Sequence, residues 1–217
     1  MRGLLVVPLL LLSAGCWQPR YFIPRENLNG TGPDGNPSAV YAVDGGEGAQ
    51  KQRQGEIRLW SKGAKAHFTD EDEEVVDLHI GFELENTSDA PLGLDVSVVR
   101  LEELFVDGYL QDYLEPHEVT GEVIAAPGST ARVNMVFRPA TTYPAEIDSF
   151  SVRFAVRAAK GQLVGQVTPF VPGSVWRRGA TVNSPLGYGR GGYYGSSGFW
   201  GGSGLWGGPF FRGSFCR

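Results

Sequence analysis

The sequence contains little cysteine and none of the common catalytic motifs. Its two cysteines are Cys16 and Cys216, and no Cys-x-x-Cys pair occurs. Gly-x-Ser-x-Gly and His-Glu-x-x-His, which place a serine nucleophile or two zinc ligands on one element, are also missing. We therefore predict a protein that is not an enzyme and that uses no cofactor.

A hydrophobic run long enough to cross a bilayer is missing at the N-terminus. Residues 4–12 are apolar except for Pro8, but a membrane-spanning helix needs about 20 residues. The run follows the positive start Met1-Arg2 and precedes small residues at 13–15. This order is typical of a secretory signal, which we assign to residues 1–15.

The stretch Ser13-Ala14-Gly15-Cys16 resembles the lipobox of bacterial lipoproteins, with Ser13 where that family usually has leucine. In that family the cysteine sulfur receives a diacylglycerol, the signal is cut before the cysteine, and the new amino group is usually acylated. The resemblance therefore implies a palmitate-type lipid anchor on Cys16, since two or three acyl chains hold a protein stably at a membrane. Trp17 stands where inner-membrane lipoproteins commonly have Asp, which implies the outer membrane, facing the periplasm or the surface. The alternative is an ordinary secretory signal with a buried Cys16.

Residues 16–54 are rich in turn-forming steps and poor in aliphatic side chains. Asn-Gly, Asp-Gly and Gly-Pro steps cluster here, and such a segment buries too little surface to offset its chain entropy. We predict a lipidated N-terminus followed by a flexible, disordered tether. Within it, residues 39–43 are a candidate short edge strand.

Residues 55–172 show the period of two that marks half-buried strands. The alternation is clearest at 75–85, 131–137 and 150–156. It recurs at 92–98, after a turn that follows the first of these strands. Shorter strand candidates are 56–60, 119–124 and 162–167, and the only helical candidate surrounds 99–105. About seven short strands separated by turns predict an all-β fold, a single Ig-like β-sandwich. The stretches at 78–95 and 126–137 also resemble bacterial Ig-like accessory domains, which mostly bind partners or space other modules.

The strongest charge run is acidic and covers residues 70–74. Asp70, Asp72 and Glu73 are weak candidates for a Ca²⁺ site, but the run lacks EF-hand spacing and consecutive side chains cannot all point at one ion. We therefore expect a solvated loop and assign no metal. His79 shares the polar face of its strand with Asp77, and we predict that it lies at the surface.

The C-terminal region, residues 173–217, has low complexity and no acidic residue. Its last 31 residues contain 12 Gly and nine aromatic residues. Residues 1–148 carry a net charge of −13 and residues 149–217 carry +8, which suggests self-contact or an anionic partner for the tail. Contact candidates in this tail are Trp200, Trp206, Phe210 and Phe211.

Cys216 has no partner within the chain if Cys16 is acylated. An odd cysteine in an oxidising compartment suggests an intermolecular disulfide or a free thiol. The tail is therefore a candidate route to a homo-oligomer.

These observations lead to one functional hypothesis and two alternatives. The leading hypothesis is a membrane-anchored envelope lipoprotein that binds or scaffolds without catalysis, with the tail as its best contact candidate. Its partner would be an envelope protein or a glycan, and export argues against nucleic acid. The alternatives are a surface adhesin that self-associates through the aromatic tail and a metal-dependent hydrolase that uses the acidic loop.

Overall fold

The computed structural model describes residues 19–45, 52–158 and 163–173, with residue 52 described by its backbone alone. These residues form an all-β sandwich, as predicted, with two single-turn 3₁₀ helices at Val96–Val98 and Pro144–Glu146. None of the helices in this part of the chain is long and apolar enough to cross a bilayer. The strands in chain order are β1 (Phe22–Pro24), β2 (Leu28–Thr31), β3 (Pro37–Gly45), β4 (Gln52–Phe68), β5 (Glu74–Asn86), β6 (Leu92–Leu94), β7 (Arg100–Val106), β8 (Tyr109–Leu110), β9 (Glu118–Gly121), β10 (Ile124–Ala125), β11 (Thr130–Phe137), β12 (Ile147–Arg157) and β13 (Leu163–Pro172).

The strands pair into two antiparallel sheets. The six-stranded sheet has the order β2-β3-β4-β5-β11-β9. The seven-stranded sheet has the order β1-β13-β12-β6-β10, and β7 pairs with both β12 and β8. β6 and β7 lie end to end along the same side of β12, because they pair with its last and its earlier residues respectively.

The core lies between the sheets and is formed by the residues that the period of two selects. The even positions of β5 from Val76 onward, the even positions of β12 from Phe150 onward and the odd positions of β11 are almost completely buried, as expected for strands whose side chains alternate between two faces. Phe154 of β12 contacts Phe82 of β5 edge to face at 5.7 Å between ring centroids. Tyr41 of β3 also reaches across, since its hydroxyl is 2.7 Å from the hydroxyl of Thr168 in β13.

The prediction of a flexible tether over residues 16–54 is wrong for residues 19–45 and for residues 52–54, which begin β4. β1 pairs with β13, and Phe22 is 1% exposed with its ring 5.0 Å from that of Phe150. The candidate strand at 39–43 lies inside β3, which has β2 on one side and β4 on the other. Of the turn-forming steps that suggested a linker, Gly32-Pro33 and Asp34-Gly35 lie in the β2–β3 connection, whereas Asn29-Gly30 lies within β2 and Asp44-Gly45 ends β3. Phe22, Ile23, Ala39 and Val43 of this segment are buried, so composition underestimated how much surface the segment buries.

The segment at 92–106 also differs from the prediction. The expected strand at 92–98 ends at Leu94, and the expected helix around 99–105 is the strand β7. Asp95 interrupts the strand, because its carboxylate accepts hydrogen bonds from Ser97 and Arg157. Glu103 adopts a positive φ of 48° where the register of β7 against β12 shifts. This bulge breaks the alternation that a regular strand would have shown in the sequence.

Candidate functional site

Three chain segments meet at one end of the sandwich. They are residues 68–74 between β4 and β5, residues 105–112 around the β7–β8 turn, and residues 139–148 before and at the start of β12. We call their combined surface the acidic–aromatic end. The backbone N–H of Asp107 donates to the carbonyl of Glu146 at 2.8 Å, and the N–H of Gly108 donates to a carboxylate oxygen of Asp148 at 2.7 Å. Glu74 and Tyr143 line one open groove of about 460 Å³, which joins the first segment to the third.

Local turn chemistry builds each of these segments. Asp107 and Gly108 both have positive φ values, 51° and 77°, as a two-residue hairpin turn that follows the strand twist requires. The β4–β5 turn begins at Thr69, whose hydroxyl accepts a hydrogen bond from the N–H of Glu73 at 3.3 Å. In the third segment the hydroxyl of Thr141 donates to the carboxylate of Glu146.

The three segments of the acidic–aromatic end carry charge of a single sign, and the basic residues His67 and Arg138 that directly precede two of them contact Asp77. Its three segments contain nine Asp and Glu residues and no Lys, Arg or His. Residues 70–73 are exposed, as are Asp107 and Asp112. Carboxylates this numerous without interspersed cations create a local negative potential that attracts cationic groups.

Exposed aromatic side chains concentrate at the same end. Of the five exposed aromatic residues in the described ranges, only Tyr113 lies outside its three segments, and Arg100 stacks over that ring at 5.3 Å. The large apolar side chains of the end with the exposed fraction of each are Phe68 (55%), Phe105 (36%), Tyr109 (75%), Leu110 (64%) and Tyr143 (54%). Rigid aromatic groups of this kind are the typical anchors of protein interfaces.

The predicted metal candidates Asp70, Asp72 and Glu73 lie exposed on the β4–β5 turn. Within residues 19–45, 52–158 and 163–173, no group of three or more His, Cys, Asp or Glu side chains has an arrangement that could hold a metal ion. The run therefore contributes charge to the acidic–aromatic end, and nothing in its geometry adds a ligand set.

His79 is half-buried, although we predicted a surface residue. The pKa of its imidazole lies below the ordinary value, chiefly because burial disfavours the charged form. The nearby Asp77 carboxylate offsets part of this lowering, whereas Lys65 and Lys62 add to it. Asp77 itself accepts a hydrogen bond from Arg138 at 3.1 Å and lies 3.6 Å from the ring of His67. His79 and Asp77 thus share the outer face of β5, as predicted.

The outer face of the six-stranded sheet carries an ion network that the sequence did not indicate. Glu83 has a side chain only 8% exposed, and its two oxygens accept hydrogen bonds from Arg58 and Arg132, each at 2.7 Å. Arg58 also contacts Glu56 and Glu85 on the same face. These partners come from three strands that only the sheet register brings together, so sequence spacing could not reveal them. Arg58 donates its hydrogen bonds to carboxylates of the same sheet face. We therefore assign this network a role in stabilising the sheet and look for the binding site elsewhere.

Another sequence signal identifies part of the acidic–aromatic end. Asp107-Gly108 between apolar residues is a strong hairpin signal that predicts the β7–β8 turn and hence an exposed tip at Tyr109 and Leu110. The helix predicted around 99–105 conflicts with this signal, and the structure has the hairpin.

Several predicted site residues lie outside the described residues. They include the signal at residues 1–15, the lipidation candidate Cys16 and the tail candidates Trp200, Trp206, Phe210, Phe211 and Cys216. No family model matches the chain, and no curated protein matches it either.

Proposed function

We propose that the protein is a lipid-anchored envelope protein whose β-sandwich binds another protein and catalyses no reaction. The observation that carries the binding part is the concentration of exposed aromatic side chains at the acidic–aromatic end. A monomeric surface seldom gathers large apolar side chains in one place unless they contact something. Here Phe68, Phe105, Tyr109 and Leu110 lie in or at the ends of strands and Tyr143 lies in a loop, all within the three segments of the acidic–aromatic end.

The anchoring part of the proposal depends on the lipobox resemblance at residues 13–16. Under the proposal Cys16 carries the lipid, and Trp17, in place of the Asp that is common in inner-membrane lipoproteins, favours the outer membrane, with the sandwich in the periplasm or at the surface. This location makes an envelope protein or a glycan the class of partner. Of these, a protein fits better, because a surface of nine carboxylates and aromatic groups complements cationic and apolar side chains.

The two alternatives have less support. A metal-dependent hydrolase would need a ligand set, and the exposed turn at residues 70–73 supplies none in the described part of the chain. An adhesin that self-associates through residues 187–217 rests on composition alone. If that alternative were correct, deletion of residues 187–217 would abolish oligomers. Under our proposal the deletion would leave the oligomeric state of the protein unchanged.

The anchor is tested by labelling with palmitate. The wild type and the variant Cys16→Ala are expressed with labelled palmitate in a Gram-negative host, and the membranes are separated. We expect label and outer-membrane location in the wild type and loss of both in the variant. Cys216→Ala is the matched control and should keep both. An unlabelled, soluble wild type would refute the anchored state and leave Cys16 free to pair with Cys216.

A further inference from the structure

We infer that the acidic–aromatic end binds a positively charged polypeptide segment that carries aromatic or aliphatic side chains. The inference rests on the proposed binding function and adds the chemistry of the partner. It is carried by two properties that coincide on one surface, namely nine carboxylates without a cation and the exposed side chains of Tyr109, Leu110 and Tyr143.

The charge determines the sign of the partner. On the outer face of the six-stranded sheet, carboxylates are matched by arginines, as Glu83 is by Arg58 and Arg132. The acidic–aromatic end has no such cations in its three segments, and the carboxylates of Asp148 and Glu146 accept instead from a backbone N–H and a hydroxyl. Cationic side chains of a partner would supply the missing complement and would accelerate association.

The apolar side chains determine that the partner is more than a cation. Tyr109 and Leu110 form the short strand β8 at the sheet margin, 75% and 64% exposed. Tyr143 borders the groove of about 460 Å³ formed with Glu74, Val75 and residues 139–142. A segment with aromatic or aliphatic side chains can place them against these groups while its cations face the carboxylate rim.

Two other occupants fit this surface poorly. A second copy that used the same end would bring nine carboxylates against nine, which costs several kcal/mol when like charges face each other. A bilayer with anionic lipids would repel the same carboxylates, because its surface potential has their sign. A cationic polypeptide avoids both penalties.

The test measures binding of labelled synthetic peptides to the full chain in detergent by fluorescence anisotropy. The first peptide alternates lysine, phenylalanine and serine. A second replaces lysine with glutamate, and a third replaces phenylalanine with serine. We expect the first to bind, the second not to bind and the third to bind more weakly. We also expect the affinity of the first to fall as salt is raised, since the Debye length is about 10 Å at 0.1 M ionic strength.

Variants locate the binding on the surface. Asp70→Asn/Glu71→Gln removes two exposed charges from the end, and we expect roughly fivefold weaker binding. The matched control Asp89→Asn/Glu122→Gln changes two exposed charges outside the three segments and should leave binding unchanged.

A second pair of variants tests the apolar part. Leu110→Ala should weaken binding roughly fivefold, because it removes exposed apolar surface that the partner would cover. The control Leu163→Ala changes a leucine that is 50% exposed and pairs with Arg157, at the far end of β12. Equal losses from Leu110→Ala and Leu163→Ala, or equal binding of the lysine and glutamate peptides, would overturn the inference.

One further measurement separates this inference from the proposed function. A photo-crosslinking amino acid replaces Tyr109 in cells, and adducts are identified. A protein adduct whose crosslinked segment is neutral or acidic contradicts the inference but leaves the binding function intact. Absence of any protein adduct, together with no peptide binding, contradicts both. Binding of phosphatidylglycerol vesicles that Leu110→Ala abolishes would assign the end to a membrane and also overturn the inference.

Discussion

Trp60 is one of the largest buried side chains, yet it lies outside the hydrophobic core between the sheets. It is 2% exposed and faces outward from β4, where β5 presents Gly81 directly opposite. Gly32, from the β2–β3 connection, covers the other side of the ring. The indole is thus held between two glycines, a cross-strand arrangement in which an aromatic group covers the gap that a strand glycine leaves.

A methyl group at Gly81 should disrupt this arrangement. A Cβ atom there would come within 2.3 Å of Cε2 of Trp60, so the ring would have to move away from the sheet or displace the loop at Gly32. We expect Gly81→Ala to lower the free energy of unfolding by about 1–3 kcal/mol, as overpacking does in a filled site. Urea denaturation followed by tryptophan fluorescence measures the change.

Gly165→Ala is the matched control for that substitution. Gly165 also lies in a strand, but its nearest neighbour would be the carbonyl oxygen of Phe154 at 3.9 Å, which is ordinary contact. The free energy of unfolding of the Gly165→Ala variant should stay the same or rise by up to about 1 kcal/mol, because alanine loses less chain entropy on folding than glycine. If both variants changed the free energy of unfolding equally, the close contact with Trp60 would not be the reason that position 81 requires glycine.

At the scale of the elements, Asn86 joins the end of β5 to two other parts of the fold. It is 2% exposed, and its amide nitrogen donates to the carbonyl of Ala90 at 2.8 Å and to that of Ala125 at 2.9 Å. Its amide oxygen accepts from the N–H and the hydroxyl of Ser88. One side chain therefore shapes the β5–β6 turn and ties it to β10.

Asn86→Ala should remove all four hydrogen bonds of this buried side chain, including the one that reaches the carbonyl of Ala125. We expect a loss of about 2 kcal/mol in the free energy of unfolding, measured by thermal or urea denaturation. Asn29→Ala is the control, since Asn29 also begins an Asn-x-Thr/Ser triplet but is exposed. It should stay within about 0.5 kcal/mol of the wild type. An equal loss at both positions would mean that Asn86 acts through backbone propensity rather than through its contacts.

The elements that the sequence predicts well are those whose own side chains alternate. β5, β11 and β12 are long enough for a period of two to be visible, and each lies where the pattern placed it. β1 has only three residues, all buried, and β7 contains a bulge at Glu103, so neither shows the period. Tertiary pairing with β13 and β12 decides their conformation, and a local pattern does not contain that information.

The same distinction applies to the candidate site. The acidic run at 70–74 is visible in the sequence because its residues are consecutive. Tyr109 and Tyr143 lie far from it along the chain, and only the sheet topology brings them to the same end. The sequence therefore indicates the charge of the acidic–aromatic end but not its aromatic half.

For the whole molecule, the first described residues decide where the folded unit begins. β1 contributes Phe22 and β3 contributes Val43 to the core, and β3 pairs with β4 from Ser38↔Trp60 to Gly45↔Gln52. The predicted boundary at residue 55 would remove this pairing. It would also expose the backbone of β4, the longest strand, as a new edge of the kind that promotes aggregation.

We therefore predict that a chain covering residues 19–173 folds and that one covering 55–173 does not. The longer chain should unfold in a single cooperative transition followed by circular dichroism, because it contains both complete sheets. The shorter chain should show no such transition or should aggregate.

Phe22→Ala in the longer chain is the intermediate case, since it empties one buried site without removing a strand. It should lower the free energy of unfolding by about 3–5 kcal/mol and preserve the cooperative transition. A shorter chain that melted at the temperature of the longer one would show that β1–β3 only rest against an independent domain, and the boundary at residue 55 would then be correct.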